Sequence, residues 1–243
     1  MENRITLLAT YAKDRLVDSS GKLIRSQEGG PALFIANVFD RNKVKYDVPF
    51  RQDMEVEVML TGSEELGKVT KKPDTVSVNY PSLDTTAIVI STILDEFSLD
   101  GIDQYNGKVF ADVQGYVRDG EQFGQKKRWT LPSSLEDSFF CLKAADYEVD
   151  FIPPRLLEKQ KQKLLLLTQG QKGCILFVNG EQFTFTPENI VEGENTLGAG
   201  DTFFASFIAE YLKKGSAQDS CTYAISNTYD FLLNKSSHSN QSS

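Results

Sequence analysis

Residues 195–215 combine a glycine loop, an acidic residue and an amphipathic helix in a pattern suited to anion chemistry. Gly198 and Gly200 permit a tight turn and a close approach of a ligand to the main chain. From residue 202 the apolar positions recur at helical spacing, which places the loop amides at the positive end of a helix dipole. Such a helix start binds phosphate or a developing negative charge. Asp201 lies at the same place, where a carboxylate can take a proton from a hydroxyl while amides hold a phosphoryl group.

A plainer explanation of the same stretch stays open. Asp201 can be an acid of the first helical turn that the dipole favours, and the glycines can form an ordinary turn. The rest of the chain decides how much weight the chemical explanation receives.

The elements that must position this loop follow an alternating pattern. Apolar runs of strand length alternate with helical patterns, which indicates an α/β fold with a mostly parallel sheet covered on both faces. The strands are predicted at 4–11, 22–25, 55–60, 75–80, 87–94, 109–114, 138–144 and 163–170, with a hairpin at 174–185. Helices are predicted from Pro31, from Thr202 and over residues 217–234.

Polar or glycine-rich segments follow several of these strands or open helices. They are Asp14, predicted just past the first strand, the pair Gly29-Gly30, Gln114, residues 168–173 and residues 198–201. Ligands of open α/β sheets gather at the carboxyl ends of strands. We therefore expect these segments to converge on one rim of the sheet.

Composition excludes several classes of protein. The chain has 243 residues and a net charge of −8, which argues against a nucleic-acid partner. Neither a secretory signal nor a run of membrane-spanning length is found in the sequence, so a cytoplasmic protein with no membrane partner is expected. The three scattered cysteines are typical of reduced core thiols. The single histidine, His238, lies in a polar tail and excludes a Ser-His-Asp hydrolase and most zinc enzymes.

Three segments together resemble the ribokinase-like PfkB family of carbohydrate kinases. NTLGAGDTFFASF, which begins at Asn195, is similar to the second family signature, D-T-x-G-A-G-D. TQGQKGCILF resembles the nucleotide-side strand and turn, and EGGPALFIANVFD resembles the first signature around its double glycine. Within the family, the branch with myo-inositol kinase is the most similar. The resemblance implies a three-layer fold with helices on both faces of a mostly parallel sheet and a lid sheet over the substrate.

The resemblance also implies a role for each matched residue. Asp201 would be the catalytic base, and the amides of Gly198, Ala199 and Gly200 would hold the transferred phosphoryl group. The implied substrate, ATP and magnesium contacts are as follows: Asp14, Gly29, Gly30, Gln114 and Arg118 for the acceptor; Thr168, Gly170, Gly173, Asn195 and Asn227 for ATP; and Glu148 for Mg²⁺ through water.

Three departures from the family pattern bear on activity. Ala145 stands where the N-x-x-E motif has Asn. The segment of residues 30–87 is shorter than in typical members, and the chain ends soon after the last helix. A reduced lid is therefore expected. The implied kinase domain spans residues 1–235, with lid elements within about 15–28 and 44–80, and residues 236–243 are predicted to be a disordered tail.

The sequence thus favours an ATP-dependent kinase for a small sugar or polyol. A nucleoside or hydroxymethylpyrimidine kinase is the near alternative. A catalytically weak member that only binds nucleotide or sugar is the alternative from another class, and a homodimer is left open. A dinucleotide oxidoreductase is disfavoured, because no G-x-G-x-x-G follows the first strand.

Overall fold

The computed structural model describes residues 4–61, 64–122, 125–191 and 196–239. Its strands are β1 (Arg4–Val17), β2 (Leu23–Gly29), β3 (Lys45–Asp47), β4 (Gln52–Thr61), β5 (Glu64–Lys71), β6 (Ala87–Ser91), β7 (Lys108–Asp112), β8 (Cys141–Ala145), β9 (Leu164–Thr168), β10 (Cys174–Val178) and β11 (Glu181–Phe185). Its α-helices are α1 (Pro31–Arg41), α2 (Gln114–Val117), α3 (Pro154–Lys161), α4 (Ala199–Lys214) and α5 (Ala217–Ser239).

The main sheet is built from apolar strands that are buried on both faces. β1, β6, β7, β8 and β9 run parallel in that order, and the β10–β11 hairpin adds two antiparallel strands at one edge. Successive residues of each strand point to opposite faces. In β6, Ala87 and Val89 pack under α1 and α4, while Ile88 and Ile90 face the other layer. The predicted three-layer α/β architecture is therefore confirmed.

The two covering layers differ in content. α1, α4 and α5 cover one face, and the other is covered by α2, α3, short 3₁₀ turns and connecting segments that carry Trp129, Leu135 and Phe139. The expected helices on both faces are present, but the long ones lie on one side.

A second group of strands forms the lid sheet, defined here as β2, residues 10–17 of β1, β4 and β5. β2 and β4 flank the second half of β1, and β5 completes the sheet beyond β4. The segment that is short by comparison with the family pattern, residues 30–87, supplies two of these four strands, β4 and β5. The apolar inner face of the lid sheet packs on Ile93, Leu94 and Leu197 at the carboxyl edge of the main sheet.

Several local predictions are confirmed. Gly30 precedes Pro31 at the start of α1 with φ of 81°. Asn179 and Gly180 both have positive φ, as the two-residue turn between β10 and β11 requires. The three cysteines are buried and free.

Other predictions were wrong in extent. Asp14 does not follow β1 but lies inside it, paired with Gln27 of β2 and Val56 of β4. Residues 75–80, predicted as a strand, form only an isolated bridge at Val76, and the lid ends at β5 rather than near residue 80. α5 continues through residue 239, so residues 236–239 of the predicted disordered tail are helical.

Glu96 is a fully buried carboxyl group near the junction of the two sheets. Its Oε1 accepts the Leu94 N–H at 2.7 Å, while its Oε2 and the buried hydroxyls of Thr10 and Thr92 find no hydrogen-bond partner in the described part of the chain. Burial raises the pKa of Glu96 from 4.5 to about 7, against the smaller effect of the Leu94 amide.

We expect this carboxyl to make the protein less stable as pH rises from about 4.5 to 7, because the folded state keeps a proton that the unfolded state has lost. Glu96→Gln has no such proton, so its free energy of unfolding relative to wild type should rise by about 3 kcal/mol across that window. Urea unfolding of both proteins at pH 4.5, 6 and 8 measures the difference. Parallel pH profiles for the two would show that Glu96 ionises normally.

Candidate active site

The start of α4 forms the floor of the site. Gly198, with φ of 82°, is the residue that caps the helix, and Asp201 lies in its first turn. The N–H of Ala199 donates to Thr196 O at 3.0 Å, so this predicted anion-binding amide is already used by the turn. The N–H groups of Gly198 and Gly200 have no acceptor among the described residues. The loop therefore offers two of the three expected donors at the positive end of α4.

Asp201 is held against the end of β6. Its side chain is half-buried, and its Oδ1 accepts a hydrogen bond from Ser91 Oγ at 3.2 Å. Ser91 is the last residue of β6, so the carboxylate lies at the carboxyl edge of the main sheet. The structure thus places the predicted base where ligands of such sheets gather.

A buried charge cluster lies beside the same helix start. Lys143 of β8 forms an ion pair with Asp112 of β7, with 2.7 Å between Nζ and Oδ2. Glu148 is also buried, and its Oε2 accepts the Ala145 N–H at 2.8 Å. Burial opposes the charge on Lys143, but Asp112, Glu148 and Asp201 outweigh it and raise the pKa of the ammonium. Burial raises the pKa of Glu148, and Lys143 partly offsets this.

The predicted magnesium contact was tested against this cluster. In residues 4–61, 64–122, 125–191 and 196–239, no group of three His, Cys, Asp or Glu side chains is arranged to hold a metal ion. The positive charge among Asp112, Glu148 and Asp201 is the ammonium of Lys143. The residues present therefore do not fit a metal bound directly by the protein, and the role of Glu148 through water stays a prediction.

Three of the five predicted acceptor residues, Asp14, Gly29 and Gly30, lie together where the lid sheet meets the start of α1. Asp14 lies on the inner face of β1 together with Ala12 and Leu16, and only 5% of its surface is exposed. Gly29 packs directly against the Asp14 carboxylate, so that a methyl group there would overlap it. The structure therefore brings Asp14, Gly29 and Gly30 together, as expected from a shared role in binding hydroxyl groups.

The predicted ATP residues divide into two groups. Thr168 ends β9 and donates from its hydroxyl to Ala144 O at 3.3 Å, while Gly170 and Gly173 shape the turn that follows, both with positive φ. Asn227 of α5 donates from Nδ2 to Ser206 Oγ at 2.6 Å, so this amide is used in packing α5 on α4. Asn195 lies outside the described residues.

The remaining two predicted acceptor residues lie around α2. Gln114 begins α2, and its N–H donates to Asp112 Oδ1 at 3.1 Å. Arg118 is buried and close enough to Glu148 to lower its pKa. Both residues are thereby linked to the charge cluster, and their contact with an acceptor stays a prediction.

The end of α5 holds the glycine loop from the side. Lys235 Nζ donates to Leu197 O at 2.6 Å and lies 5.8 Å from the centre of the Phe34 ring. The Phe34 ring meets Phe231 edge-on and packs against Gly198, where an added Cβ would lie 2.5 Å from ring atoms. An aromatic pair and a lysine therefore fix the loop from which α4 starts.

Sequence reasoning missed Lys143, Ser91 and Phe34. Lys143 is the one charged residue in the apolar run FFCLKAA, and a charge inside a buried strand was the signal available for it. Ser91 and Phe34 gave no such signal, because their roles depend on contacts with residues far away in the chain.

Residues 152–226, which include the charge-bearing α4 start, match the family described as pfkB family carbohydrate kinase. This part of the chain is similar to the pfkB family. This confirms the resemblance drawn from the motifs. A search of curated proteins finds no match to the sequence.

Solved structures share the fold of this chain over nearly its whole length. A pyrophosphate-dependent kinase in the ribokinase family, complexed with a pyrophosphate analog and myo-inositol, has a TM-score of 0.73 at 17% identity and covers 93% of each chain. Arabidopsis thaliana ribokinase complexed with ribose and ATP has a TM-score of 0.67 at 15% identity, covering 94% of this chain and 92% of that chain. Methanocaldococcus jannaschii nucleoside kinase has a TM-score of 0.72 at 14% identity, covering 94% and 91%. At these identities the likeness establishes the ribokinase-like fold.

Among the described residues of this chain, none of the helices has the length and apolar character needed to cross a bilayer.

Proposed function

We propose that this protein transfers a phosphoryl group from a phosphate donor to a hydroxyl of a small sugar or polyol. The observation that carries the proposal is the start of α4, where Asp201 and the N–H groups of Gly198 and Gly200 lie together. A carboxylate there is unfavourable for simple anion binding but suited to a base beside a phosphoryl group.

The proposed reaction follows from this arrangement. Asp201 takes the proton of the acceptor hydroxyl, whose oxygen then attacks the terminal phosphorus of the donor, while the bond to the leaving phosphate oxygen breaks. The amides of Gly198 and Gly200 hold the oxygens of the group in transit. Asp14, under the lid sheet, accepts hydrogen bonds from other acceptor hydroxyls and thereby orients the reacting one.

The donor is proposed to be ATP, taken up as its magnesium complex. Thr168, Gly170 and Gly173 at the end of β9 are the residues proposed to line its site. Pyrophosphate is the second candidate, because one similar structure is of a pyrophosphate-dependent kinase. The use of the Asn227 amide in helix packing also favours it, since that amide was the predicted adenine contact.

The test is a matrix of donors and acceptors with the wild-type protein. Release of ADP from MgATP, or of phosphate from magnesium pyrophosphate, is measured with sugars, inositols and nucleosides in turn. We expect release that depends on one acceptor class and a phosphorylated product of the matching mass. Donor binding by calorimetry without turnover of any acceptor would favour the binding-only alternative, for which Ala145 in place of Asn is the supporting observation.

A further inference from the structure

Lys143 is a buried cation with unused hydrogen-bonding capacity. It ends deep in the molecule with 4% of its surface exposed, and Asp112 is its one described hydrogen-bond partner. An ammonium carries three N–H donors. Two of them therefore have no acceptor among the described residues, although a buried charged donor is costly to leave unpaired.

The ammonium of Lys143, which the surrounding carboxylates stabilise, also lies where the dipole of a helix opposes a cation. Its Nζ is 3.2 Å from the point where a Cβ on Gly200 would lie, which places it at the first turn of α4. Positive charge is repelled by the positive end of a helix. Asp112 offsets part of this cost, but it leaves the two free N–H groups unexplained.

A phosphoryl group at the same helix start would be attracted by the helix dipole but repelled by nearby carboxylates. Asp201 and Glu148 both lie close enough to Lys143 to affect its ionisation, so an incoming phosphate would face two carboxylates. A fixed cation beside Gly200 offsets that repulsion.

We propose that the Lys143 ammonium contacts the phosphoryl group being transferred, sharing it with the two loop amides. This rests on the proposed function. Lys143 remains paired with Asp112 and turns its two free N–H groups to phosphate oxygens, so that the site supplies its own cation next to the base.

The alternative is that Lys143 serves only to neutralise Asp112. The double variant Asp112→Asn/Lys143→Met separates the two roles, because it removes both charges of the ion pair together. A purely structural pair predicts that the double variant melts like wild type and keeps turnover within about threefold, which would overturn the proposal. A phosphoryl contact predicts normal melting with turnover lower by about 10²-fold or more.

Binding of magnesium pyrophosphate, measured by calorimetry without acceptor, distinguishes this inference from the proposed function. One outcome is that the wild type binds pyrophosphate but turns over no acceptor, while the double variant binds pyrophosphate at least tenfold more weakly. That outcome would support the Lys143 contact and overturn the proposed kinase activity. Equal binding by the two proteins would overturn the contact whatever the turnover. A wild type that binds neither pyrophosphate nor ATP would overturn both proposals.

A crystal structure of the wild type with pyrophosphate gives a readout that does not depend on a variant folding. We expect Lys143 Nζ within about 3 Å of a phosphate oxygen. A phosphate seated on the loop amides but beyond hydrogen-bond distance of Nζ would overturn the proposal.

Discussion

Asp201→Asn should lower acceptor-dependent turnover by about 10²–10⁴-fold while leaving the fold intact. The amide keeps the size of the carboxylate, and its Oδ1 can still accept the hydrogen bond from Ser91 Oγ. What it loses is the ability to take a proton from the acceptor hydroxyl. The measurement is the steady-state rate with the acceptor and donor that the matrix identifies, together with a thermal melt.

The matched control for this variant is Asp219→Asn. Asp219 is likewise an acid in the first turn of a helix, α5, but it is exposed. Both variants lose the same favourable interaction with a helix dipole, worth about 0.3–1 kcal/mol. Full turnover in Asp219→Asn with lost turnover in Asp201→Asn assigns the effect to proton transfer. More than a tenth of wild-type turnover in Asp201→Asn would mean that another group is the base.

Gly30→Ala is expected to have the largest effect on stability among single methyl additions in the lid region. Gly30 has φ of 81° and ψ of 158°, a conformation that is essentially restricted to glycine and costs an L-residue about 1–3 kcal/mol. A Cβ there would lie 2.5 Å from Thr10 O and 2.6 Å from Ala12 N, which are backbone atoms of β1 and cannot move independently. Backbone strain and overpacking together should lower the free energy of unfolding by about 3 kcal/mol or more.

Gly21→Ala is the control for a methyl group added at a positive φ without a collision. Its φ of 80° is nearly that of Gly30, but no atom lies within 4 Å of the point where its Cβ would be. We expect it to lose only about 1–2 kcal/mol. Urea unfolding of the three proteins gives the difference, which includes the cost of the collision with β1. Equal losses in the two variants would contradict the close packing of Gly30 on that strand.

Features set by short segments could be predicted from the sequence. The Asn179-Gly180 turn, the Gly30-Pro31 helix start and the Gly198–Asp201 loop each depend on the backbone preferences of adjacent residues. The run LLLLT of β9 is apolar at every position except its last, as a strand buried on both faces must be. These local features sufficed to indicate the α/β fold and the place of the candidate base.

Features set by distant partners could not be predicted. β1 continues through the polar stretch around Asp14 because β2 and β4 pair with it on either side, and β4 is far from it in the sequence. Residues 75–80 alternate like a strand but find only one bridging partner at Phe97. The Ala199 amide was expected to bind anions, and only the folded turn shows that Thr196 already occupies it.

The strand β1 belongs to two sheets at once, with residues 5–9 paired to β6 and residues 10–17 paired to β4. The lid sheet and the main sheet are therefore joined by one continuous strand and not by a loop. Any movement of the lid sheet relative to the main sheet would therefore have to bend β1 near Thr10, where its pairing changes from β6 to β4. Because Asp14 lies on the lid-sheet half of β1, such a bend would change the distance between Asp14 and Asp201.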